Sequence, residues 1–313
     1  MNPLISVIIP THNPNKNRLQ RTLEGLKAQT LAKNNWELIV VDNATPDPML
    51  ISSFDLAWHK SSKIIVESQL GLTKARIAGV LASRGIYQVF VDDDNVLEAN
   101  YLENIIEIFR AYPKLGAIGG KSLPSFEIAP EEWVKDFWVC LALRDMGEQV
   151  KTYFYDPSAN DRQYPPFAPI GAGMALQLEA AKSYVNIIQR DSNRIALDRT
   201  GKSLQSGGDC DINLTLLEAG WGVGYFPQLQ LTHLISASRL TKEYLARLNY
   251  ASSCSWIQVL DCHNFRPWQS IPKWSVLPRQ IKSFFIYQAW KDCPSFIKWQ
   301  GACGMFKGLA RLT

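Results

Sequence analysis

The chain has 313 residues, 46% of them hydrophobic, which suits one large α/β domain with or without an appendage. Its six cysteines are too sparse for a disulfide scaffold, and because they form no CxxC pair a structural zinc site is not expected. The formal net charge is +4, but eight cations and one acid lie beyond residue 262. The larger part, residues 1–262, therefore carries a net charge of −3, and we expect no nucleic-acid partner for it.

The amino terminus has no basic region ahead of its short apolar run, and no uncharged apolar run of about 18 residues follows. These patterns predict neither a signal peptide nor a membrane-spanning helix. A reducing, cytoplasmic location is the simplest interpretation.

Residues 1–112 alternate buried strands with helices. The predicted strands are Leu4–Pro10, Trp36–Val41, Lys63–Val66 and Tyr87–Val91, and the predicted helices are Asn17–Gln29, Gly71–Ala82 and Ala99–Tyr112. This alternation predicts a mostly parallel sheet with helices on both faces. In such sheets ligands bind beyond the carboxyl ends of the strands. That edge would carry Pro10–Asn13, Asp42 with Asn43, and Asp92–Asp94.

The second half of the chain is less regular, above all over Lys121–Pro166. The pattern resumes with apolar Ile170–Leu178, a helix from Glu179, and a loop and helix in SGGDCDINLTLLEAGW. A strand over Gly222–Phe226 and a long helix from Thr241 complete the predicted elements. We expect one catalytic domain over residues 1–262, with a nucleotide-binding half up to about residue 120 and an acceptor-binding half after it.

Three successive aspartates, Asp92, Asp93 and Asp94, follow the apolar strand YQVFV. Carboxylates this close repel one another, so three ionised side chains need compensating positive charge. Mg²⁺ or Mn²⁺ supplies it, since hard cations prefer oxygen ligands and complete their shell with phosphate oxygens and water. A solvated acidic turn is the alternative, but the apolar strand ahead of the acids disfavours it.

Four ordered segments, SVIIPTHNPN, LIVVDNAT, GLTKARIAG and VFVDDDN, resemble those of the family 2 glycosyltransferases with a GT-A fold. The resemblance covers roughly residues 6–250. It implies a Rossmann-like sheet that binds a nucleotide sugar, with the acids as a DXD motif. It places Asp92 at the ribose, Asp42 at the base and Asp94 at the metal. The full set of nucleotide-binding positions that it implies is Pro10, Thr11, Asn13, Asp42, Gly71, Lys74, Arg76, Asp92 and Asp93.

Residue chemistry agrees with these roles. A carboxylate at Asp42 can accept a hydrogen bond from a ring N–H, which uracil, thymine and guanine have, and a UDP-sugar is the expected donor. Lys74 and Arg76 would offset diphosphate charge, although Arg76 could equally serve an ordinary helix salt bridge. Asn13 could act only as a turn former before Pro14.

SGGDCDINLTLLEAGW resembles the second signature of the family, in which an Asp preceded by Glu is the catalytic base. The base maps to Asp209, which could instead be only a helix cap. Gly208 stands where the family has Glu, so acceptor contacts would have to come from elsewhere. Asp211 could bind the acceptor or be an ordinary first-turn acid. The resemblance also implies inversion of anomeric configuration in a single displacement.

Three further side chains have weaker assignments. His233 could be another metal ligand or a structural histidine, and Arg239 could contact the diphosphate. Trp133 and Trp138 could stack on the acceptor sugar.

The last segment, residues 263–313, combines its eight cations with four Trp and five Phe. Such a mixture is typical of an interfacial membrane segment, and a helical subdomain that packs on the core is the alternative. We therefore expect a helical, aromatic and basic appendage that could place the enzyme at the inner face of a membrane, near a glycan or lipid-linked acceptor.

Two other functions remain open. A nucleotidyltransferase would normally have a Gly-rich basic loop after its first strand, which PTHNPNK is not. A non-catalytic nucleotide-sugar or glycan-binding protein would not need the base at Asp209. A dehydrogenase is disfavoured because no GxGxxG follows the first strand.

Overall fold

The computed structural model describes residues 2–156 and 162–312. Their strands are β1 (Ile5–Thr11), β2 (Trp36–Asn43), β3 (Ser62–Glu67), β4 (Tyr87–Phe90), β5 (Asn95–Leu97), β6 (Leu115–Phe126), β7 (Lys151–Tyr153), β8 (Ala175–Gln177) and β9 (Gly222–Ile235). Their α-helices are α1 (Lys16–Lys27), α2 (Pro48–Ser52), α3 (Leu72–Ala82), α4 (Tyr101–Ala111), α5 (Leu178–Ile188), α6 (Ser192–Ile195), α7 (Gly208–Glu218), α8 (Lys242–Cys262), α9 (Val276–Ile286) and α10 (Cys293–Leu309). Short 3₁₀ turns cover Lys33–Asn35, Glu132–Leu141, Ala237–Leu240 and Lys273–Ser275.

The strands form one mostly parallel sheet in the order β3-β2-β1-β4-β8-β6-β9-β5, with β7 beside β9. β1 pairs in parallel with β2 and β4, β2 with β3, and β6 with β9. β5, β7 and β8 run antiparallel to their neighbours. The predicted α/β fold with a parallel sheet is confirmed.

Hydrophobic side chains cover both faces of this sheet. β1 and β2 are buried along their whole length. Their alternate side chains pack under α1 and α4 on one face and under α3, α5 and α7 on the other. The register pairs Thr11 with Asp42 and Asp42 with Val66, so the carboxyl ends of β1, β2 and β3 meet at one edge. The sequence predicts that the polar residues that follow these strands lie at this edge.

Two strands are longer than the sequence pattern suggested. The prediction ended a strand at Phe226 and left Lys121–Pro166 irregular, whereas β9 continues to Ile235 and pairs with β6 up to Phe126. Glycines and prolines interrupt the alternation of both strands, and the pairing shifts register between Gly119 and Lys121. A Cβ at Gly120 would lie 1.9 Å from the Leu229 carbonyl oxygen, so this close approach of the two strands requires glycine.

The carboxyl-terminal helices pack differently from each other. α8 begins after Thr241, whose hydroxyl accepts a hydrogen bond from the Tyr244 N–H at 3.2 Å. α10 lies so close along α8 that a Cβ at Gly304 would meet the Tyr250 carbonyl oxygen at 2.1 Å. α9, by contrast, buries Ser283 and leaves most of its apolar side chains exposed. Among the residues described, no helix has the length and hydropathy that would let it cross a membrane.

Candidate active site

A cavity of about 280 Å³ opens at the carboxyl ends of β1, β2 and β4. Most of the predicted site residues line it. They are Pro10, Thr11, Gly71, Arg76, Asp92, Asp93, Asp94, Asp209 and His233. These residues come from five separate segments of the chain, which the fold brings together at one edge of the sheet.

The first wall of the cavity is the acidic triplet. The Thr11 hydroxyl donates a hydrogen bond to Asp93. Burial, and then the neighbouring charge of Asp94, raise the pKa of Asp93 to about 7. Burial opposes the charged form of Asp94 as well, but His233 and Arg239 hold the pKa of that carboxyl well below its usual range. The triplet therefore keeps one strongly acidic member next to one that is protonated over part of the neutral range.

His233 and Arg239 reach Asp94 from β9 and the turn after it. His233 Nε2 lies 3.4 Å from one Asp94 oxygen, and Arg239 Nη1 lies 3.2 Å from the other and 3.2 Å from His233 Nε2. The antiparallel pairing of β5 with β9 sets His233 opposite Asn95, directly after the acids. This register, which the sequence pattern does not reveal, positions the histidine.

Arg76 lies beside the acidic triplet. Its Nη2 lies 3.6 Å from Asp92 Oδ1, its guanidinium packs over the Phe90 ring, and its side chain is buried. A Cβ at Gly171 would come within 2.3 Å of Nη2, so a larger residue there would displace the guanidinium from this position. The sequence leaves open whether Arg76 binds the diphosphate or forms a salt bridge. Arg76 and Asp92 do form a salt bridge, and both residues line the cavity.

The amino terminus of α3 opens into the same space. Gly71, at φ +151°, precedes the helix, and its N–H donates to the Asn43 side chain at 2.8 Å. Asn43 in turn donates to the carbonyl oxygens of Glu67 and Gln69. The Leu72 N–H donates to the Arg199 carbonyl oxygen, so the N–H groups of both residues are already bonded. What this helix end offers an anion in the cavity is the partial positive charge of the helix dipole.

Asp209 also lines the cavity, from the first turn of α7. The helix is capped by Gly207 and begins at Gly208, so Asp209 is its second residue and not its cap. One carboxylate oxygen accepts from the Gly171 N–H at 3.1 Å and the other from the Cys210 N–H at 3.0 Å. The carboxylate is half-buried and lines the cavity, which is the exposure that a proton acceptor for a bound hydroxyl needs.

Sequence reasoning missed two charged groups of the cavity, Asp198 and Arg199, from the loop before α7. Asp198 is buried and accepts a hydrogen bond from the Thr73 hydroxyl at 2.9 Å. Burial opposes the charge of Arg199, but Tyr244 and the carboxylates of Asp92 and Asp198 raise its pKa. Neither residue belongs to a motif, so only the fold could reveal them.

Three predicted nucleotide-binding residues lie outside the cavity lining. Asn13 is exposed in a turn at φ +48°, where its N–H donates to Thr45. Asp42 is buried at the end of β2 and accepts from the Thr45 N–H at 3.1 Å, one residue before cavity-lining Asn43. Lys74 donates to Gln69 at 2.6 Å.

The predicted acceptor residues are also outside it. Asp211 is buried, and it accepts hydrogen bonds from Arg194 and His263. Trp133 and Trp138 are partly buried against a hydrophobic cluster formed with α8 and α10. In this arrangement all three stabilise the fold.

The donor atoms beside Asp94 suit a hard divalent cation. Such ions bind one or two protein carboxylates and take their remaining ligands from phosphate and water. Asp94 and His233 could supply two adjacent ligands, since His233 Nε2 lies 3.4 Å from Asp94 Oδ1. No group of three or more His, Cys, Asp or Glu side chains able to hold a metal was found in the described parts of the chain. A metal held by these two side chains would take its remaining ligands from the donor phosphates and water.

Known proteins with related sequences match short parts of the chain. It is 33% identical to the glycosyltransferase AglE of Haloferax volcanii over 103 residues, which are 32% of this chain and 34% of AglE. It is 32% identical to the uncharacterised glycosyltransferase EpsJ of Bacillus subtilis over 108 residues, or 34% of this chain and 30% of EpsJ. The match thus spans about a third of the length of each relative.

Similarity of structure extends further than similarity of sequence. The crystal structure of S. aureus TarS 1–349 covers 99% of this chain, and 90% of that structure is matched, with a TM-score of 0.51 and 12% identity. At this identity the likeness shows a shared fold. The sequence model of glycosyl transferase family 2 matches residues 6–178, which is more than half of the chain and includes the acidic triplet. The chain therefore belongs to glycosyl transferase family 2.

Proposed function

We propose that this protein transfers a sugar from a nucleotide-diphosphate sugar, a UDP-sugar in the first instance, to a hydroxyl of a glycan or lipid-linked acceptor. The observation that carries the proposal is the placement of Asp209 in the same cavity as the acidic triplet and the α3 amino terminus. A nucleotide-binding protein without activity would need no carboxylate in that position.

The chemistry assigned to each wall follows from its charge. Arg76 and the amino terminus of α3 offset the charge of the diphosphate. Asp209 accepts the proton of the attacking hydroxyl as the new C–O bond forms and the bond from the anomeric carbon to the diphosphate breaks. Attack from the side opposite the leaving group inverts the configuration. The nucleoside diphosphate leaves with the electron pair of the broken bond.

Asp94 and His233 would hold Mg²⁺ or Mn²⁺, which when bound stabilises the negative charge that develops on the departing diphosphate. Arg239 contacts both side chains. Its guanidinium would then be free to bind a diphosphate oxygen once the cation neutralises Asp94.

Ligand-dependent thermal stability tests the donor class. UDP, GDP, dTDP, CMP and ADP would each be added with and without Mn²⁺ to wild type, Asp94→Ala and an exposed-acid control, Glu179→Ala. We expect one diphosphate to raise the melting temperature of wild type and the control when Mn²⁺ is present, and Asp94→Ala to lose this effect. Absence of a response to every nucleotide would contradict the proposal.

Turnover separates an enzyme from a binding protein. Release of UDP from UDP-glucose, UDP-galactose and UDP-N-acetylglucosamine would be followed with p-nitrophenyl glycosides as acceptors. Binding of a nucleotide without its release from any donor would favour the non-catalytic alternative.

We also propose that α9 holds the enzyme at the inner, cytoplasmic face of an anionic membrane. Six large side chains of the segment are 54% to 78% exposed and form what we name the α9 apolar face: Trp274, Leu277, Ile281, Phe285, Ile286 and Trp290. The exposed cations Lys273, Arg279, Lys282 and Lys291 accompany them, and no acid occurs between residues 263 and 291. Aromatic and aliphatic side chains flanked by cations match the boundary of an anionic bilayer.

Deletion of the segment would be a poor test, because α10 packs along α8. Leu277→Ser, Ile281→Ser and Phe285→Ser would instead be combined. Met49→Ser, Val66→Ser and Leu81→Ser, which are 63% to 72% exposed elsewhere, form the control. We expect wild type and the control, but not the α9 triple variant, to sediment with vesicles containing phosphatidylglycerol. Equal sedimentation of all three would overturn the proposal, as would a wild-type dimer that the α9 substitutions dissociate.

A further inference from the structure

Asp198 occupies the space that a side chain at position 208 would take. A Cβ built at Gly208 would lie 2.2 Å from Asp198 Oδ2 and 2.6 Å from its Cγ. Real Cβ atoms essentially never approach other heavy atoms this closely, so with the Asp198 side chain in this position only glycine fits at position 208. A larger residue there would displace the Asp198 carboxylate.

Backbone hydrogen bonds on both sides hold Asp198 in this place. The Gly207 N–H donates to the Leu197 carbonyl oxygen at 3.0 Å, and the Leu72 N–H donates to the Arg199 carbonyl oxygen at 2.9 Å. The residues that flank Asp198 are thus tied to the start of α7 and to the start of α3. These links position the backbone at Asp198, and the carboxylate can rotate away only by giving up its hydrogen bond from the Thr73 hydroxyl.

The contacts of the carboxylate leave it able to bind a ligand. Oδ2 accepts from the Thr73 hydroxyl at 2.9 Å and lies 4.0 Å from Arg76 Nη1. Among the described residues none donates a hydrogen bond to Oδ1, and the side chain lines the cavity together with Asp209. A carboxylate oxygen with free lone pairs is a ready acceptor for a sugar hydroxyl.

Position 208 is also where the chain departs from the family signature, which has Glu before the base. We infer that Asp198 replaces that missing carboxylate from a different loop, and that it binds and orients a sugar hydroxyl beside Asp209. This inference rests on the proposed function. The hydroxyl belongs either to the donor sugar or to the acceptor, and the two sources have the same chemistry.

A double-mutant cycle tests whether Asp198 takes the place of a side chain at position 208. It compares wild type, Asp198→Ala, Gly208→Glu and the combination of both, with Glu179→Gln as an exposed-acid control. Without ligand, Gly208→Glu should melt several degrees below wild type, because the new side chain collides with Asp198. The combined variant should recover most of that loss. A Gly208→Glu protein as stable as wild type would overturn the claim that Asp198 fills this space.

Turnover measurements test whether Asp198 binds and orients a sugar hydroxyl. We expect Asp198→Ala to lose about tenfold or more in activity, as for the loss of a hydrogen bond to a charged group. Its stabilisation by UDP with Mn²⁺ should equal that of wild type. The combined variant should turn over about tenfold faster than Gly208→Glu and faster than Asp198→Ala. Activity of Asp198→Ala within twofold of wild type, or a combined variant no better than the worse single one, would contradict the inference.

The source of the hydroxyl follows from two assays on Asp198→Ala and the isosteric Asp198→Asn. If both hydrolysis of the UDP-sugars and transfer to p-nitrophenyl glycosides fall, Asp198 holds the donor sugar. If transfer alone falls, it holds the acceptor. Failure of wild type to bind or cleave any donor would instead count against the proposed function, while the melting comparison would still judge whether Asp198 excludes a side chain at position 208.

Discussion

Asp209 and Asp211 both lie in the first turn of α7, but their surroundings differ. Asp209 is half-buried, lines the cavity and accepts hydrogen bonds from the Gly171 and Cys210 backbone N–H groups. Asp211 has 2% of its side chain exposed, and it is paired with Arg194 Nε at 2.8 Å and His263 Nε2 at 3.0 Å. Two residues along a helix correspond to a rotation of about 200° around its axis, which separates the two carboxylates.

This difference shows why adjacent acids of one signature need not share a role. The cavity carboxylate can still exchange its proton with a bound hydroxyl. The buried one has its charge balanced by Arg194 and His263, so it links α7 to α6 and to the end of α8. Removing the first should affect chemistry, and removing the second should affect stability.

The largest effect is expected for Asp209→Asn. General-base catalysis contributes about 10²–10⁴-fold to a rate, so turnover should fall by about 10³-fold. The amide is isosteric, and the melting temperature should change little. Initial rates of UDP release and a melting curve of the same sample would check both parts. Turnover within tenfold of wild type would place the base elsewhere.

Asp211→Asn should show the reverse pattern. Loss of one partner from a buried ion pair leaves uncompensated charge, here on Arg194 and His263, and costs about 3–5 kcal/mol of unfolding free energy. Urea unfolding would measure it. Asp136→Asn is the matched control, since Asp136 and Lys298 form an exposed pair at 2.9 Å with a contribution of at most about 1 kcal/mol. Equal stability losses in the two variants would contradict the buried role of Asp211.

A smaller effect should appear in the pH dependence of stability. Burial lowers the pKa of His263, but hydrogen bonds to Asp211 and Glu218 outweigh it and raise the pKa above 6.5. The charged histidine therefore stabilises the fold fully below its unfolded pKa, and this contribution is lost as the pH rises through the folded value. One proton limits the slope to about 1.4 kcal/mol per pH unit.

Urea unfolding of wild type and His263→Gln at several pH values from 6 to 9 would measure this slope. Wild type should lose stability relative to the variant as the pH increases. A stability difference between the two proteins that does not vary with pH would show that His263 is neutral throughout and that Arg194 alone balances Asp211.

The smallest effect is expected for Glu218→Gln. Glu218 lies 2.9 Å from His263 Nδ1, but its side chain is 35% exposed, so solvent screens the pair. The loss of stability should stay below about 1 kcal/mol, and the pH dependence due to His263 should move to lower pH. The same urea series would check both. A loss as large as that of Asp211→Asn would mean that Glu218, and not Asp211, is the main partner of the histidine.

The sequence alone determined the parallel sheet and the edge that carries the cavity. Strands such as β1 and β2 are short runs of apolar, β-branched residues, and this local pattern is visible without knowledge of the partners. The acidic triplet was identifiable for the same reason, since it directly follows such a run. The helix that carries Asp209 could likewise be placed.

The tertiary structure alone decided which side chains share the cavity. His233 lies beside Asp94 through the β5–β9 register, and Asp198 reaches the space above Gly208 from a loop that belongs to no motif. Trp133 lies in a hydrophobic cluster with α8, away from the cavity where an acceptor was expected. These outcomes depend on contacts between residues distant in the chain, and a local pattern contains no information about such contacts.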